Sequence, residues 1–359
     1  MIDKYYNGVI EQVYNHVGTT EKNIVMANYN NDFSIKNLET VKRYRAQMDS
    51  VFFASREFGY RELTGAYEPF LDTICDMFRA YGTGDFDAFL DGCGVYELHK
   101  EILRSYYESG ICKRNENVLL NEVAYEQDRM TDAMAAMLKA LAKEHPLMLV
   151  INRFQMASRS TFELVHDLIA HPDKNIGLVL GVNDSVGRKE SVADVWDRIV
   201  ESLKDRSQLY HIGSSDHRRT EIAREHVLGE GYTDNVDVDE DYEASIQKVS
   251  NIVEFLDYDQ AKRYFREVEY QIKFEDARMK NASRRAFYLL YAKTSILLGE
   301  LSKALELLTE AKNLIPAEYE FKYRAELDFL RGTCYMYQGK LDRAERYADQ
   351  SYTWGVESG

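Results

Sequence analysis

Five short apolar runs punctuate the chain between Ile24 and Ile212, and none follows. They are Ile24-Val25-Met26-Ala27, Val51-Phe52-Phe53-Ala54, Leu147-Met148-Leu149-Val150-Ile151, Ile176-Gly177-Leu178-Val179-Leu180 and the weaker Leu209-Tyr210-His211-Ile212. Runs this short and this uniformly apolar read as strands buried on both faces. Helical stretches such as Asp132 to Lys143 and Thr161 to Ala170 lie between them. Such alternation predicts a five-stranded parallel sheet covered by helices, an α/β domain over residues 1–233. The long gap between the second and third runs predicts an all-helical insertion over about 67–146, with helices over Tyr67 to Tyr81, Tyr96 to Ser109 and Glu126 to Glu144.

From about Asp241 only helical periodicity remains, so the second domain, 242–359, reads as all-α. An acidic stretch, Asp234 to Asp241, separates the two and reads as a solvated linker. Asp237, Asp239 and Asp241 have the spacing of the first three ligands of a calcium loop. The loop's glycine position is Tyr242 and its final glutamate position is Lys248, so calcium is not expected.

Within the second domain three segments align at spacings of 43 and 40 residues. They are Leu256-Asp257-Tyr258-Asp259-Gln260-Ala261, Gly299-Glu300-Leu301-Ser302-Lys303-Ala304 and Gly339-Lys340-Leu341-Asp342-Arg343-Ala344. The last two resemble the turn between the paired helices of a tetratricopeptide (TPR) repeat. Glycine relaxes the backbone at the helix end and a small alanine lets the second helix approach the first. In the middle unit Ala292, Leu308, Ala311 and Pro316 fall at the family's small, packing and terminating positions. In the third unit Gly332 and Tyr335 take the small and aromatic places. The first unit departs from the pattern, with Leu256 for glycine and Val249 for the small residue. The resemblance implies stacked helix pairs and a groove that binds a protein or peptide. The third unit has no capping helix after it, so either another segment or chain is expected to cover that end or the chain is expected to be part of a longer protein, and an oligomer is compatible with this. On the first helices of the pairs, Tyr291 and Tyr337 with Lys293, Arg324 and Arg331 are the candidate partner-binding residues, the cations gripping carboxylates. Tyr288 and Tyr335 are expected in the core.

The first domain carries a second resemblance. His145-Pro146-Leu147-Met148-Leu149-Val150-Ile151-Asn152-Arg153-Phe154-Gln155, followed by Ala157, Ser160-Thr161 and Leu164, resembles a segment of the STAND class of AAA-like signalling NTPases, the ATPase regulators of the large LuxR type. Arg56-Glu57, Tyr67-Glu68-Pro69-Phe70 and Gly181-Val182-Asn183-Asp184 look like the family's segments after its second strand and at its sensor strand. The likeness covers roughly residues 20 to 215 and implies a P-loop NTPase-like fold. The nucleotide chemistry of that family is missing. A phosphate loop needs G-x-x-x-x-G-K-[ST] so that backbone N–H groups close around the phosphates. The first run is instead followed by Ala27-Asn28-Tyr29-Asn30-Asn31-Asp32-Phe33-Ser34-Ile35-Lys36, and no glycine occurs from Thr19 to Phe58. Asn152 and Arg153 stand where the family has two acids. The degenerate domain therefore reads as a pseudo-NTPase without cofactor. The rival is an NTPase with a non-standard loop, Lys36 and Arg153 holding phosphate and Asp184 the metal.

A phosphate-loop decoy, Gly181-Val182-Asn183-Asp184-Ser185-Val186-Gly187-Arg188-Lys189, has the wrong glycine spacing and Glu190 where Ser or Thr is needed. His166 and His171 lack a helical ligand spacing, and no G-x-S-x-G nucleophile motif occurs. Asp167, Asp173 and Asp184 read as helix-end or turn residues. A formal net charge of −15 argues against direct nucleic-acid contact. There is neither an apolar run long enough to span a membrane nor a signal peptide, and Met1 to Gly18 reads as polar and tyrosine-rich. Four scattered cysteines fit reduced thiols in a cytoplasmic chain. Together these features predict a non-catalytic regulatory or scaffolding protein, or the sensory part of a transcription regulator whose DNA-binding domain lies elsewhere.

Overall fold

All five apolar runs become strands, and their strength tracks their place in the sheet. A computed structural model describes residues 2–29, 33–47, 50–113, 122–186, 190–212, 241–274, 279–316 and 320–358. The strands β1 (Ile24–Tyr29), β2 (Phe52–Glu57), β3 (Leu147–Asn152), β4 (Ile176–Asn183) and β5 (Leu209–Ile212) are all parallel, in the order β2-β3-β4-β1-β5. Every residue of the three inner strands β3, β4 and β1 is buried. The weakest run is the edge strand β5, and the other edge, β2, turns half-buried from Ala54 onward. In the middle of a parallel sheet the crossover helices cover both faces of a strand, which is why the inner strands are uniformly apolar.

Side chains alternate between the two faces of the sheet. Val25, Ala27, Tyr29, Phe53, Met148, Val150 and Val179 share one core with helices α1 (Ile2–His16) and α2 (Glu39–Ala46). The N-terminal stretch, read above only as polar, thus forms a helix. Its Tyr6, Val9, Ile10 and Val13 make a buried stripe at helical spacing. Two glycines of β4 make room for it. A Cβ at Gly177 would meet Val17 and Val13 at 2.5 and 3.1 Å, and one at Gly181 would overlap the Tyr6 hydroxyl.

The expected helical insertion between β2 and β3 is present as α3 (Phe70–Tyr81), α4 (Phe86–Gly92), α5 (Glu97–Ser109) and α6 (Val123–Glu144). The short α4 was not expected, and its Phe86 and Phe89 pack with Phe78 and Tyr107. Helices α7 (Arg159–Ala170) and α8 (Ala193–Asp205) follow β3 and β4 and pack on each other.

The chain divides into two compact units, Met1–Lys113 with Gln127–Asp237, and Arg114–Glu126 with Val238–Gly359. The acidic stretch falls outside the described residues up to its last member. Asp241 caps the next helix, its carboxylate accepting the Ala244 N–H at 3.1 Å. The second unit holds three helix pairs: α9 (Tyr242–Glu254) with α10 (Tyr258–Phe274), α11 (Asn281–Leu297) with α12 (Leu301–Asn313), and α13 (Glu320–Tyr337) with α14 (Leu341–Ser358). Each pair also touches the next, through α9, α10, α11, α12 and α13.

The three intrapair turns are the same structure. Asp257, Glu300 and Lys340 each donate their N–H to the carbonyl five residues back, Ile252, Ser295 and Tyr335, at 3.1, 2.8 and 2.9 Å. This is the 6→1 bond of a Schellman cap, and it needs a left-handed residue just before the donor. Gly299 and Gly339 supply it with φ of 74° and 72°, and Leu256 adopts φ 62° in the same place. The first turn therefore keeps its shape without glycine. Leu256 is 3% exposed, and burial of its side chain offsets a backbone cost of about 1–2 kcal/mol. Ala292, Ala304, Leu308 and Ala311 are fully buried in one cluster, and Gly332 lies against the backbone of Ala344, where a Cβ would meet the carbonyl oxygen at 3.3 Å. Tyr288 and Tyr335, expected in the core, are only half-buried. Tyr288 lies at the rim of the Ala304 cluster, and Tyr335 stacks on Tyr347 at 5.5 Å.

Candidate functional site

In an open parallel sheet, ligands bind beyond the carboxyl ends of the strands, where neighbouring strands send their connections in opposite directions. Here β1 connects past β4 and β3 to β2, while β4 connects past β1 to β5. The crevice between the ends of β1 and β4 is that place.

The chain's own groups occupy it. The Tyr29 hydroxyl donates to Asn152 Oδ1 at 2.7 Å, and Asn152 Nδ2 donates to the Phe33 carbonyl at 3.2 Å. The Asp184 N–H bonds the Tyr29 carbonyl at 2.8 Å, joining the two strand ends directly. The rings of Tyr6, Tyr29 and Phe33 meet edge-on, with centroids 4.6 to 6.3 Å apart. Tyr6 is fully buried, and its hydroxyl has no partner among the described residues. Burial above all, then the neighbouring Tyr29 and Glu57, pushes that hydroxyl well above the usual phenol range, so it stays neutral.

A carboxylate does reach the site, from a residue that motif reading places elsewhere. Glu57, at the end of β2, accepts from the Ile35 N–H at 2.8 Å, from the Ser34 hydroxyl at 3.0 Å and from Asn152 at 3.5 Å. Arg153 faces its other oxygen at 3.3 Å. The guanidinium of Arg153 also donates to the Phe58 carbonyl at 3.1 Å and lies over the Tyr60 ring at 4.7 Å. Arg153 holds a left-handed backbone, φ 56° and ψ 44°, which a non-glycine residue adopts only under the constraint of its surroundings. Both partners are largely buried, with side chains 15% and 9% exposed.

Of the residues in the rival NTPase reading, Arg153 is thus turned inward onto Glu57. Lys36 is exposed on a single 3-10 turn, Ile35–Asn37, and Asp184 is exposed in the turn after β4. Residues 30–32 of the loop after β1 and Gly187 to Lys189 of the decoy lie outside the described residues. Gly181, the decoy's first glycine, sits inside β4 and not after it, and its role there is to admit Tyr6. Among the described residues no group of His, Cys, Asp and Glu is placed to hold a metal ion.

Two of the stretches that carry the NTPase resemblance are brought together. Arg56 pairs with Glu68 at 2.7 Å and with Glu62. The Tyr67 N–H bonds the Ser160 hydroxyl at 2.9 Å, and the Thr161 hydroxyl bonds the Glu68 carbonyl at 2.9 Å. The segment after β2 is thereby braced against the start of α7.

The five partner-binding candidates of the helical unit do not form one patch, and only Arg324 and Arg331 line the same cavity. Lys293 is exposed and pairs with Glu326 at 2.7 Å, bridging α11 and α13. Tyr291 stacks on Phe265 at 4.5 Å, and burial, then Glu269, raises its hydroxyl to about 12. Tyr337 is half-buried against the Ala304 cluster. Arg324 and Arg331 meet at a cavity of about 230 Å³ with Lys312, Asp328, Tyr347 and Trp354. Arg331 is 8% exposed and bonds the Leu308 carbonyl at 3.4 Å, so it is a wall of the unit and not the exposed grip its charge suggests. The signal for this cavity was the α13 stripe Arg324-Asp328-Arg331, at four- and three-residue steps.

Comparison with models of protein families, with curated proteins and with solved structures finds no match. Among the described residues no helix is long and apolar enough to cross a membrane.

Proposed function

We propose that this chain is a non-catalytic regulatory or scaffolding protein. In this reading a STAND-like NTPase fold that has lost its nucleotide chemistry is joined to a TPR-type stack that binds a protein or peptide. The observation that carries the reading is the repetition of one turn, three times, in three helix pairs that each touch the next. A stack of this kind buries a continuous core between neighbours and leaves an extended surface for a partner. The sheet unit supports the non-catalytic half of the proposal. Its ligand crevice is filled by Tyr6, Tyr29 and Phe33 and sealed by the Asn152, Glu57 and Arg153 bonds. The loop after β1 has no glycine, so its backbone lacks the conformational freedom that lets N–H groups close around a phosphate.

The reading is tested by capturing the native partner on the full chain. Lys293→Glu with Arg324→Glu should abolish capture, since both lie on first helices of the pairs and neither is buried. Lys36→Glu, on the sheet unit, should leave it intact. Capture lost only with Lys36→Glu would assign the interaction to the sheet unit and sink the proposal.

A further inference from the structure

One set of positions recurs in all three helix pairs, and the first two pairs bury it. At spacings of 43 and 40 residues, Val253, Ile296 and Met336 occupy the same place on the first helix of each pair. Val253 and Ile296 are 5% and 4% exposed, whereas Met336 is 46% exposed. Leu289 and Phe329 share a second place, and exposure rises there from 9% to 47%. On the second helices Phe265 and Leu308 are fully buried, and their counterpart Ala348 is exposed. Four residues of α12 are buried, and among the described residues of α14 none is. The third pair thus keeps apolar residues where the earlier pairs receive a neighbour. Capping units carry a polar outer face, so this end is built as a seat and not as a cap.

The two interfaces inside the chain show what such a seat receives. Phe265 lies under the first helix of the next pair, with the ring of Phe287 at 5.9 Å and that of Tyr291 stacked at 4.5 Å. Leu308 receives α13 in the same register. Leu327, forty residues after Phe287, shares its cluster, and Arg331, forty after Tyr291, donates to its carbonyl at 3.4 Å. Ala348 is smaller than Phe265 or Leu308. A helix seated there must supply the bulk itself, as a large apolar side chain at the place of Phe287 and Leu327. Charge sets a second requirement. Lys262 of α10 pairs at 3.0 Å with Glu300, the residue after the left-handed glycine of the next turn. The place of Lys262 is taken by Leu305 in the second pair and by the exposed Glu345 in the third. A carboxylate there calls for a cation where Glu300 stands. A second copy meeting this face with its own would bring Glu345 and Asp349, both exposed on α14, against the same acids.

We infer that α13 and α14 dock an amphipathic helix of a partner protein, laid on them as α13 is laid on α11 and α12. It sets a large apolar side chain over Ala348 and a cation, at its carboxyl end, against Glu345. The inference goes beyond the reading above: it needs the stack but neither Lys293 nor Arg324, so its failure leaves that reading where it stands.

The probe is a synthetic peptide with the chain's own sequence from Glu320 to Lys340, the helix that fills the equivalent seat. Lys340 stands in it where Glu300 stands one pair earlier. The peptide carries Leu327→Phe to meet Ala348, Phe329→Lys and Met336→Lys to keep its far face polar, and Cys334→Ser to prevent cross-linking. Labelled with fluorescein and titrated with the full chain, it should give a saturable rise in anisotropy. Binding should be at least about tenfold tighter than that of a scrambled peptide of the same composition. Met336→Glu in the chain, at an exposed position, should weaken binding at least about tenfold. Glu345→Lys should weaken it about threefold, and Lys340→Glu in the peptide should recover that loss. Absence of saturation, equal binding of the scrambled peptide, indifference to Met336→Glu, or a Glu345→Lys loss that the peptide swap does not recover would each overturn the inference. Sedimentation of the chain alone supplies the second arm. A monomer at all concentrations supports a partner helix as occupant, and a dimer that Met336→Glu dissolves would give the seat to a second copy and overturn the inference.

Discussion

Gly181→Ala tests whether β4 carries its glycine to admit the N-terminal helix. A Cβ at Gly181 would overlap the Tyr6 hydroxyl and come within 2.7 Å of Asn152 Oδ1 and 3.1 Å of Tyr6 Cζ. Neither neighbour can yield cheaply. Tyr6 is fully buried against Tyr29 and Phe33, and Asn152 is held by the Tyr29 hydroxyl at 2.7 Å. Overpacking of this kind costs about 1–3 kcal/mol. At about 2–4 °C per kcal/mol for a unit of 150–250 residues, the melting temperature should fall by roughly 2–12 °C. Tyr6→Phe removes the nearest obstacle together with a buried hydroxyl that has no partner among the described residues. Alone it should be close to neutral or stabilising, because an unmade buried hydrogen bond carries a desolvation cost of about 1–3 kcal/mol. Combined with Gly181→Ala it should restore most of the loss, a coupling of about 0.5–3 kcal/mol between touching sites. Urea denaturation of the wild type, both single variants and the double variant, followed by far-UV circular dichroism, measures the cycle. A neutral Gly181→Ala, or a cost that Tyr6→Phe leaves unchanged, would refute the packing of Tyr6 over β4.

Three further outcomes are expected in the helical unit. Ala304→Leu should cost about 1–3 kcal/mol by overpacking, since Ala304 is fully buried between α11 and α12; an unchanged melting temperature would place that face in solvent. Gly339→Ala should cost about 1–2 kcal/mol through its backbone alone, because φ is 72° and a Cβ there meets nothing within 4 Å; chemical denaturation measures it, and a neutral result would mean the turn is not left-handed. Burial pushes the Glu269 carboxyl up, but hydrogen bonds from Lys273 and Lys303, both at 2.7 Å, outweigh it and hold the group below its ordinary 4.5. A depressed carboxyl stabilises the fold fully above its unfolded value, and that contribution is lost as pH falls through the folded one. The stability gap between wild type and Glu269→Gln should therefore narrow below about pH 4.5, and melts at a series of pH values that show a constant gap would contradict the pairing.

Much of the sheet unit was legible because burial on both faces leaves a uniform mark. The runs at β1, β3 and β4 are the inner strands, and the weakest run is an edge. Helix α1 was overlooked because its polar and tyrosine-rich composition masks the stripe Tyr6-Val9-Ile10-Val13, which periodicity alone would have revealed. The carboxylate at the crevice was missed for a different reason. Motif spacing looks for acids at the end of β3, whereas Glu57 arrives from the adjoining strand, in register with Asn152. Parallel pairing is a long-range property that no local spacing encodes. In the helical unit the glycine and alanine positions announced the turns, and Leu256 shows the turn persisting where the glycine is gone. Charge misled at Arg331, since a long cationic side chain can line a wall with its stem buried.

The most direct test of the central claim is whether the sheet unit still responds to nucleotide. A ligand at one hundred times its dissociation constant adds about 2.7 kcal/mol to stability. Thermal melts of the full chain with and without millimolar Mg-ATP should coincide, because the crevice between β1 and β4 is filled and Arg153 is committed to Glu57 and Phe58. An upward shift of several degrees that disappears in Lys36→Ala would contradict the account and restore the NTPase reading.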